Sequence, residues 1–145
     1  MPVVNRSQAI KDSTLLIRDL LTNKITDPAT RTGTAKFVNT AWPERETQFP
    51  LITVQQQGWS TTPLGTSTTE TLATIRMEVN VWAKSVTVCD SLAGSVVAVM
   101  EQNQALTRAS GLFDLRFENV TSVDESGKAG IHRKVIETSY AYPSQ

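Results

Sequence analysis

The sequence predicts an α+β fold in which a mainly antiparallel sheet of about four or five strands carries two packed helices. Residues 71–83 alternate apolar and polar side chains almost without exception, which is typical of a half-buried strand. Residues 7–21 and 87–103 instead repeat apolar side chains every three or four positions, which is typical of amphipathic helices. Helices and strands are mixed along the chain, and this order favours helices packed against one sheet.

The strand predicted over residues 71–83 is the centre of this sheet. The side chains expected on its apolar face are Ala73, Ile75, Met77, Val79, Val81 and Ala83. Those expected on its polar face are Thr74, Arg76, Glu78 and Asn80. A strand with two such faces packs one of them against helices and exposes the other.

The first predicted helix runs from Ser7 to Leu21, with Asn5 or Ser7 capping its start and Asn23 near its end. Its buried stripe is Ile10, Leu16, Ile17, Leu20 and Leu21. Such a helix is marginal alone and needs a sheet to lie on, because most helical stability comes from the packing of an apolar face.

The second predicted helix runs from Thr87 to Asn103, with Thr87 as its cap and Asp90 favourably placed in its first turn. Its expected buried face is Val88, Cys89, Leu92, Val96, Val99 and Met100. Gly94 and Ser95 lower the helix propensity, so we expect their small size to permit close approach of a neighbouring element.

The remaining strands are expected over residues 36–42, 49–56, 112–123 and 131–142, with Pro143 ending the last one. Pro50 fits the beginning of its strand, where a missing N–H group costs nothing. Residues 124–130 supply the turn between the last two strands.

Residues 57–70 are rich in Gly, Ser and Thr, have no periodicity, and predict a long loop. Loops of this length are often functional, and surface aromatic residues are enriched at interfaces. Trp59, Pro63 and Leu64 are therefore candidate contacts with a partner. The alternative interpretation of Trp59 is that its ring folds back over the domain's own sheet.

The overall composition indicates one domain with no strong electrostatic preference. The chain has 145 residues and a formal net charge of zero, so no overall basic field concentrates nucleic acid or anionic lipid around it. The single cysteine excludes an intrachain disulfide and favours maturation in a cytoplasm. The N-terminal residues lack the apolar core of a signal peptide, and no stretch is long enough to suggest a membrane span.

Few residues suggest a catalytic, metal-binding or cofactor-binding site. One His and one Cys, distant in sequence, argue against a transition-metal site, and no cofactor motif or catalytic constellation is found. Cys89 at a helix start has two interpretations, an activated thiol or a buried apolar side chain, and the second is favoured. The basic cluster of His132, Arg133 and Lys134 is either a contact for phosphate or an acidic partner, or a solvated strand edge, and the second is again favoured.

The order of elements resembles that of tail terminator, or tail completion, proteins of long-tailed bacterial and archaeal viruses. The resemblance lies in the amphipathic helix from Ile10 to Leu21, the strand start Phe49-Pro50-Leu51-Ile52-Thr53-Val54 and the strand from Thr71 to Trp82. The helix from Thr87 to Asn103 and a closing pair of strands that ends near Tyr140-Ala141-Tyr142-Pro143 complete it.

This resemblance implies a non-enzymatic virion protein that assembles in the host cytoplasm as a ring of about six copies. The ring would sit on the head-proximal end of the tail tube, stop tube polymerisation and join the tail to the neck or head. The implied partners are further copies of the chain, the tail tube protein and a neck or head-completion protein, while genomic DNA passes through the lumen unbound. No cofactor and no membrane are implied.

Two other functions fit the same sequence. A portal-bound head-completion or neck adaptor protein is also a small assembling domain, and only its partner distinguishes it. A small ligand-binding domain of ferredoxin-like type is the second alternative; it requires a deep apolar pocket with a perturbed titratable group.

Overall fold

The computed structural model describes residues 4, 6–28, 36–40, 49–63, 71–124 and 130–144. The helices are α1 at Ala9–Lys24, preceded by a 3-10 turn at Arg6–Gln8, then α2 at Val86–Gln102 and α3 at Gln104–Ala109. The strands are β1 at Val38–Asn39, β2 at Leu51–Pro63, β3 at Thr71–Ala83, β4 at Phe113–Asp124 and β5 at His132–Ser144.

The five strands form one sheet in the order β1-β2-β3-β5-β4. The short β1 pairs parallel to β2, whereas the β2–β3, β3–β5 and β4–β5 pairs are antiparallel. The predicted α+β class is confirmed. The strand predicted at 71–83 has the observed bounds and lies in the middle of the sheet.

The core lies between one face of the sheet and the helices. The predicted apolar side chains of β3 are fully buried there, from Ala73 to Ala83 at every second position. Helix α1 packs over β1 and β2, and α2 packs over β3 and β5. Leu16, Ile17 and Leu21 of α1 meet Leu92, Val96 and Met100 of α2 in the same apolar cluster. We call this side of the sheet the helix face.

Both helix starts differ from the prediction. Ser7 belongs to the 3-10 turn and Gln8 precedes α1 without a side-chain cap, while Asn5 lies outside the described residues. Ser85 caps α2, because its extended backbone allows its hydroxyl to accept a 3.5 Å hydrogen bond from the Val88 amide. Thr87 is already helical and cannot take that role. Helix α1 also continues past Asn23 to Lys24.

Ile10 and Val88 were expected in the buried stripes, but they are 54% and 41% exposed. In α1, Ala9 and Ser13 occupy the inward positions, which lie four residues apart on one helical face. In α2, the buried stripe begins one residue later at Cys89. Gly94 and Ser95 are exposed, and a Cβ atom on Gly94 would meet nothing within 4 Å, so the expected close neighbour is not found in the described part of the chain.

The predicted loop at 57–70 is wrong over its first half. Strand β2 continues to Pro63 and pairs with β3 as far as Thr71, so the two strands form a long antiparallel hairpin. Backbone hydrogen bonds to β3 hold this Ser/Thr-rich segment in the sheet without any apolar alternation. Leu64 and the rest of the predicted loop lie outside the described residues.

Smaller differences concern the other strands. Of the strand predicted at 36–42, only Val38–Asn39 is found in the described residues. Strand β5 runs past Pro143 to Ser144, where the proline pairs with Leu72 near the end of the sheet. The predicted turn at 124–130 lies mostly outside the described residues.

The face of the sheet opposite the helices is also buried at one end, which the alternation did not predict. Asn80 and Thr53 have no exposed surface and Trp82 is 3% exposed. The indole N–H of Trp82 donates a 3.3 Å hydrogen bond to the Thr53 hydroxyl. We call this side the polar face.

Candidate interface surfaces

The sequence-predicted site residues that the structure describes, which exclude Leu64, fall into two groups at opposite ends of the sheet. Trp59 and Pro63 pair with Ile75 and Thr71 at the beginning of β3. His132, Arg133 and Lys134 pair with its last residues, Ala83, Trp82 and Val81. Because a strand advances about 3.4 Å per residue, the six steps along β3 from Ile75 to Val81 separate the groups by roughly 20 Å. They do not form one site.

Trp59 lies on the helix face of β2, because its register partner Ile75 points into the core. Its ring packs against Tyr142 of β5 at a centroid distance of 6.3 Å and an interplanar angle of 53°. The side chain is still 36% exposed. The interpretation that Trp59 folds over its own sheet is therefore confirmed for part of the ring, and the exposed part stays available to a partner.

An apolar surface continues from Trp59 onto helix α1. A groove of about 570 Å³ lies between Trp59 and residues 7–11. Ile10, with more than half of its side chain exposed, lies beside this groove. We call Trp59 and Ile10 together the arm patch, because both line this groove.

Tyr142 fixes the base of the arm patch. Its hydroxyl donates a 3.1 Å hydrogen bond to the Val4 carbonyl, and the Val4 amide donates to the Ser110 carbonyl at 2.8 Å. Gly111 has a φ of 106°, and a Cβ atom there would lie 3.3 Å from Cε1 of Tyr142. The tyrosine ring is thus held between Trp59 and the turn before β4.

The favoured interpretation required the basic cluster to lie on a strand at the edge of the sheet. The structure shows that it does not. Strand β5 lies between β3 and β4, so His132, Arg133 and Lys134 occupy an internal strand. Lys134 points to the helix face and its ammonium group lies 3.0 Å from the Asp90 carboxylate. An anionic ligand of Lys134 would have to compete with this ion pair.

Arg133 points to the polar face, away from Lys134. Its guanidinium carbon lies 5.1 Å from the centroid of the Trp82 ring, within cation–π range. One of its nitrogens also donates to the Asn80 side-chain oxygen at 3.5 Å. Alternation along β5 therefore divides the basic cluster between two faces and leaves no single cationic surface.

Cys89 is buried, with only 3% of its surface exposed, as the favoured interpretation predicted. Burial, followed by the nearby Asp90 charge, raises the pKa of its thiol. The sulfur donates to the Val81 carbonyl at 3.4 Å. A thiol that is harder to ionise is a poor nucleophile. Cys89 and His132 both line a cavity of about 190 Å³.

The ligand-binding alternative requires a pocket with a perturbed titratable group. A groove of about 600 Å³ lies between the end of α1 and helix α2, lined by residues that include Ile25, Val88 and Leu92. Neither Cys89 nor Tyr140, whose pKa values burial raises, lines this groove. Among the described residues, no three His, Cys, Asp or Glu side chains are grouped as a metal site would need.

The described part of the chain also has no helix long and apolar enough to cross a membrane. The interfacial roles of Trp59, Pro63, Leu64 and the basic cluster stay predictions.

Comparison with known proteins identifies no family. No protein-family model matches the sequence, and no curated protein matches it. The fold is similar to a chain in a structure described as the virion of a native gene transfer agent particle, with a TM-score of 0.48 and 13% sequence identity. The similarity covers 92% of this chain and 89% of the other. A TM-score below 0.5 at this identity does not carry a function, which has to be argued from the protein's own surfaces.

Proposed function

We propose that this protein is a structural component of a virion that forms a ring of about six copies at the head-proximal end of a tail tube. In this role it ends tube polymerisation and joins the tail to the neck or head. The sequence resemblance to tail terminator proteins supports the proposal, since α1, β2, β3, α2, β4 and β5 follow one another in the order on which that resemblance rests, with the short β1 and α3 in addition.

The observation that carries the proposal is the hairpin of β2 and β3. In β2, Leu51 to Val54 are buried, whereas Ser60 to Pro63 are exposed although they are paired with β3. On the β3 side of this hairpin Ala73 and Ile75 are buried in the core, so the exposed part is the end of β2. Ordering this end, which covers little core, costs conformational entropy. Contact with another subunit would bury this exposed end of β2 and offset that cost.

The arm patch adjoins this exposed end of β2. Trp59 and Ile10 are large apolar side chains exposed beside one groove, and tryptophan is among the residues that contribute most to interfaces. We assign this patch to a contact with the tail tube or with the adjacent subunit.

The charge distribution suits a protein partner. Residues 57–63 carry no charged side chain, so this part of β2 brings no charge that association would have to desolvate. A ring that lets DNA pass also needs to avoid a strongly basic lumen, and a chain of zero net charge is compatible with that requirement.

The experiment that tests this function is tube capping. Tail tube subunits of the virus that encodes the protein are polymerised with and without it, and tube lengths are measured by electron microscopy. We expect shorter tubes with a ring at one end. Unchanged lengths with no density at the tube ends would contradict the proposal. Binding to the portal ring instead of the tube would favour the neck adaptor.

A further inference from the structure

We propose that the arm patch of one copy binds in the groove between α2 and β4 of the next copy, with Lys11 of the first facing Glu101 of the second. We call this groove the α2 groove. The partner is thus a second copy of this chain, joined through two different surfaces. The inference rests on the proposed ring, because it names the contact between neighbouring subunits that would build it.

The α2 groove is an open, largely apolar surface beside helix α2. Its volume is about 340 Å³, and its small or apolar lining residues are Ala93, Gly94, Val97, Ala98 and Val120. A Cβ atom on Gly94 would meet nothing within 4 Å, so the surface of the helix is open there. Val120 is 44% exposed. The groove has room for large apolar side chains from outside, and an exposed apolar surface of this kind is typical of an interface.

The α2 groove carries a negative charge at one end. Its charged lining residues in the described part of the chain are Asp90, Lys134 and Glu101. The Lys134 ammonium group lies 3.0 Å from the Asp90 carboxylate, so these two charges offset each other. Glu101 is exposed and has no ion-pair partner among the described residues. It lies in the last turn of α2, and the C-terminal end of a helix is itself negative.

The arm patch carries the opposite charge. Of the described residues that line its groove, Lys11 is the charged one. Lys11 is exposed, and no described residue forms an ion pair with it. It lies in the first turn of α1, and the N-terminal end of a helix is positive. Its charge is therefore added to the exposed apolar surface of Trp59 and Ile10.

The two surfaces complement each other in charge and in polarity. The positive end of α1 with Lys11 would meet the negative end of α2 with Glu101, while Trp59 and Ile10 would cover the apolar lining of the α2 groove. Inside one copy, each of the two charges lies at the helix end that disfavours it. An opposite charge compensates for this, and in the described part of the chain neither has one. A second copy therefore supplies what each surface lacks.

Both surfaces lie at the same level along the strands. Trp59 pairs with Ile75, which is eight residues before Ala83 at the end of β3, or roughly 27 Å from it. Helix α2 begins directly after β3 and runs back over β3 and β5 to the end of the sheet where β4 starts. Glu101, fifteen residues after the first residue of α2, is roughly 22 Å along it. Neighbouring copies can therefore meet without a large shift along the strand direction.

The two surfaces lie on opposite sides of the helix layer. Helix α1 packs over β1 and β2 at one side of the sheet, whereas the α2 groove lies beside β4 at the other. Trp59 and α2 are both on the helix face. A rotation about an axis along the strands therefore brings the arm patch of one copy to the α2 groove of the next. Such a contact is heterologous, and its repetition closes a ring when the rotation closes.

Charge reversal tests the contact. Lys11→Glu and Glu101→Lys each place two like charges at every joint, so we expect each variant alone to associate about three- to tenfold more weakly than the wild type. Each reversal also removes a charge that its own helix end disfavours, so the melting temperature should stay the same or rise. Analytical ultracentrifugation measures association, and thermal unfolding measures stability.

An equimolar mixture of the two variants is the deciding measurement. In alternating copies the two reversed charges face each other and the natural Lys11 faces the natural Glu101, so association should return to within about twofold of the wild type. The matched control mixes Glu101→Lys with Lys84→Glu, which reverses an exposed lysine that lines neither groove. This control mixture should stay weak, while Lys84→Glu alone should associate like the wild type. A test mixture as weak as the control, or a loss of association by Lys84→Glu alone, would overturn the proposal.

Filling the α2 groove tests the apolar part of the contact. Gly94→Leu occupies the groove without a clash inside the copy, and leucine is the better helix former. We expect its melting temperature not to fall and its self-association to weaken about tenfold or more. Val88→Lys, at an exposed valine of α2 outside this groove, should associate like the wild type. Unchanged association of Gly94→Leu would overturn the proposal.

The outcomes separate this inference from the proposed function. Rings that cap tubes and are unaffected by these substitutions would overturn this contact and leave the tail function in place. Restored association in the mixture, from a protein that does not affect tubes, would support the contact and contradict the tail function. A wild-type protein that stays a monomer at every concentration and in the presence of tubes would overturn both.

Discussion

Trp59 and Tyr142 contact each other across β3, with ring centroids 6.3 Å apart, although they belong to strands that are not neighbours in the sheet. Ala73, the register partner of Tyr142, is the small residue between them. A larger side chain at this position would keep the two rings apart. The contact fixes Trp59 on its own sheet while part of the ring faces outward.

Replacing Trp59 tests whether its exposed part serves assembly. Trp59→Ala removes a half-buried ring and an aromatic pair, so we expect the free energy of unfolding to fall by about 1–2 kcal/mol while the monomer stays folded. Self-association should weaken more than this loss explains. Leu106→Ala, at a similarly exposed residue on α3, is the control for analytical ultracentrifugation. Unchanged association of Trp59→Ala would restrict the residue to a packing role.

Tyr140 and Tyr142 provide a matched pair of substitutions for measuring the contribution of a tyrosine hydroxyl to the free energy of unfolding. The Tyr142 hydroxyl donates to the Val4 carbonyl, whereas the buried Tyr140 hydroxyl has no hydrogen-bond partner among the described residues. Tyr142→Phe should lower the free energy of unfolding by about 0.5–1.5 kcal/mol, and Tyr140→Phe should leave it unchanged or raise it. Urea unfolding measures both. A larger loss for Tyr140→Phe would contradict the described hydrogen bonding.

Stability should fall in alkaline solution because of two buried acids. Burial raises the pKa of the Cys89 thiol above its ordinary 9.0 and that of the Tyr140 hydroxyl above its ordinary 10.0. As the pH passes 9.0 and then 10.0, the unfolded chain releases these protons while the folded chain keeps them, so unfolding becomes more favourable. Below the ordinary pKa values both groups are protonated in the folded and in the unfolded chain, so no stability is lost there. Unfolding curves measured between about pH 8 and 11 should show a shallower loss for Cys89→Ala with Tyr140→Phe than for the wild type.

Two glycines should respond in opposite directions to alanine. Gly111→Ala forces a side chain into a φ of 106° and against the Tyr142 ring, so we expect a loss of about 1–3 kcal/mol. Gly94→Ala lies in α2 with open space around it and should stabilise the protein by up to about 1 kcal/mol. Thermal unfolding compares the two. A gain for Gly111→Ala would contradict the described turn before β4.

The parts of the fold with strong periodicity could be predicted from the sequence. Strand β3 alternates apolar and polar side chains from Ala73 to Val81, so its buried face follows from the sequence alone. The α1 stripe from Leu16 to Leu21 is equally clear, because its inward residues repeat at helical spacing. The order of elements and the fold class rest on these two signals.

The structure differs from the sequence prediction where tertiary contacts determine the end of an element or the burial of a side chain. The second half of β2 has no apolar alternation, and only its hydrogen bonds to β3 make it a strand. Ser85 rather than Thr87 caps α2, because the cap depends on backbone geometry that composition does not give. The burial of Asn80 and Trp82 depends on what covers the polar face, which the period of one strand cannot reveal.

The candidate interface residues likewise have features that the sequence predicts and features that it does not. Trp59 could be selected from the sequence because an aromatic residue in a polar segment is conspicuous. Its contact with the Tyr142 ring could not be predicted from the sequence. The basic cluster looked continuous in sequence, yet alternation along β5 directs Lys134 to Asp90 and Arg133 to Trp82. The identity of the outermost strands leaves no sequence signal, because it is set by the strand order.

We propose that copies of this protein close into a ring on a tail tube, and the mass of the assembled species is the most direct test. Light scattering across a range of concentrations, alone and with tail tubes, should show the 15.9 kDa chain assembling to about six times its own mass, with closed rings visible by electron microscopy. A mass of one chain under all these conditions, including in the presence of tubes, would contradict the account.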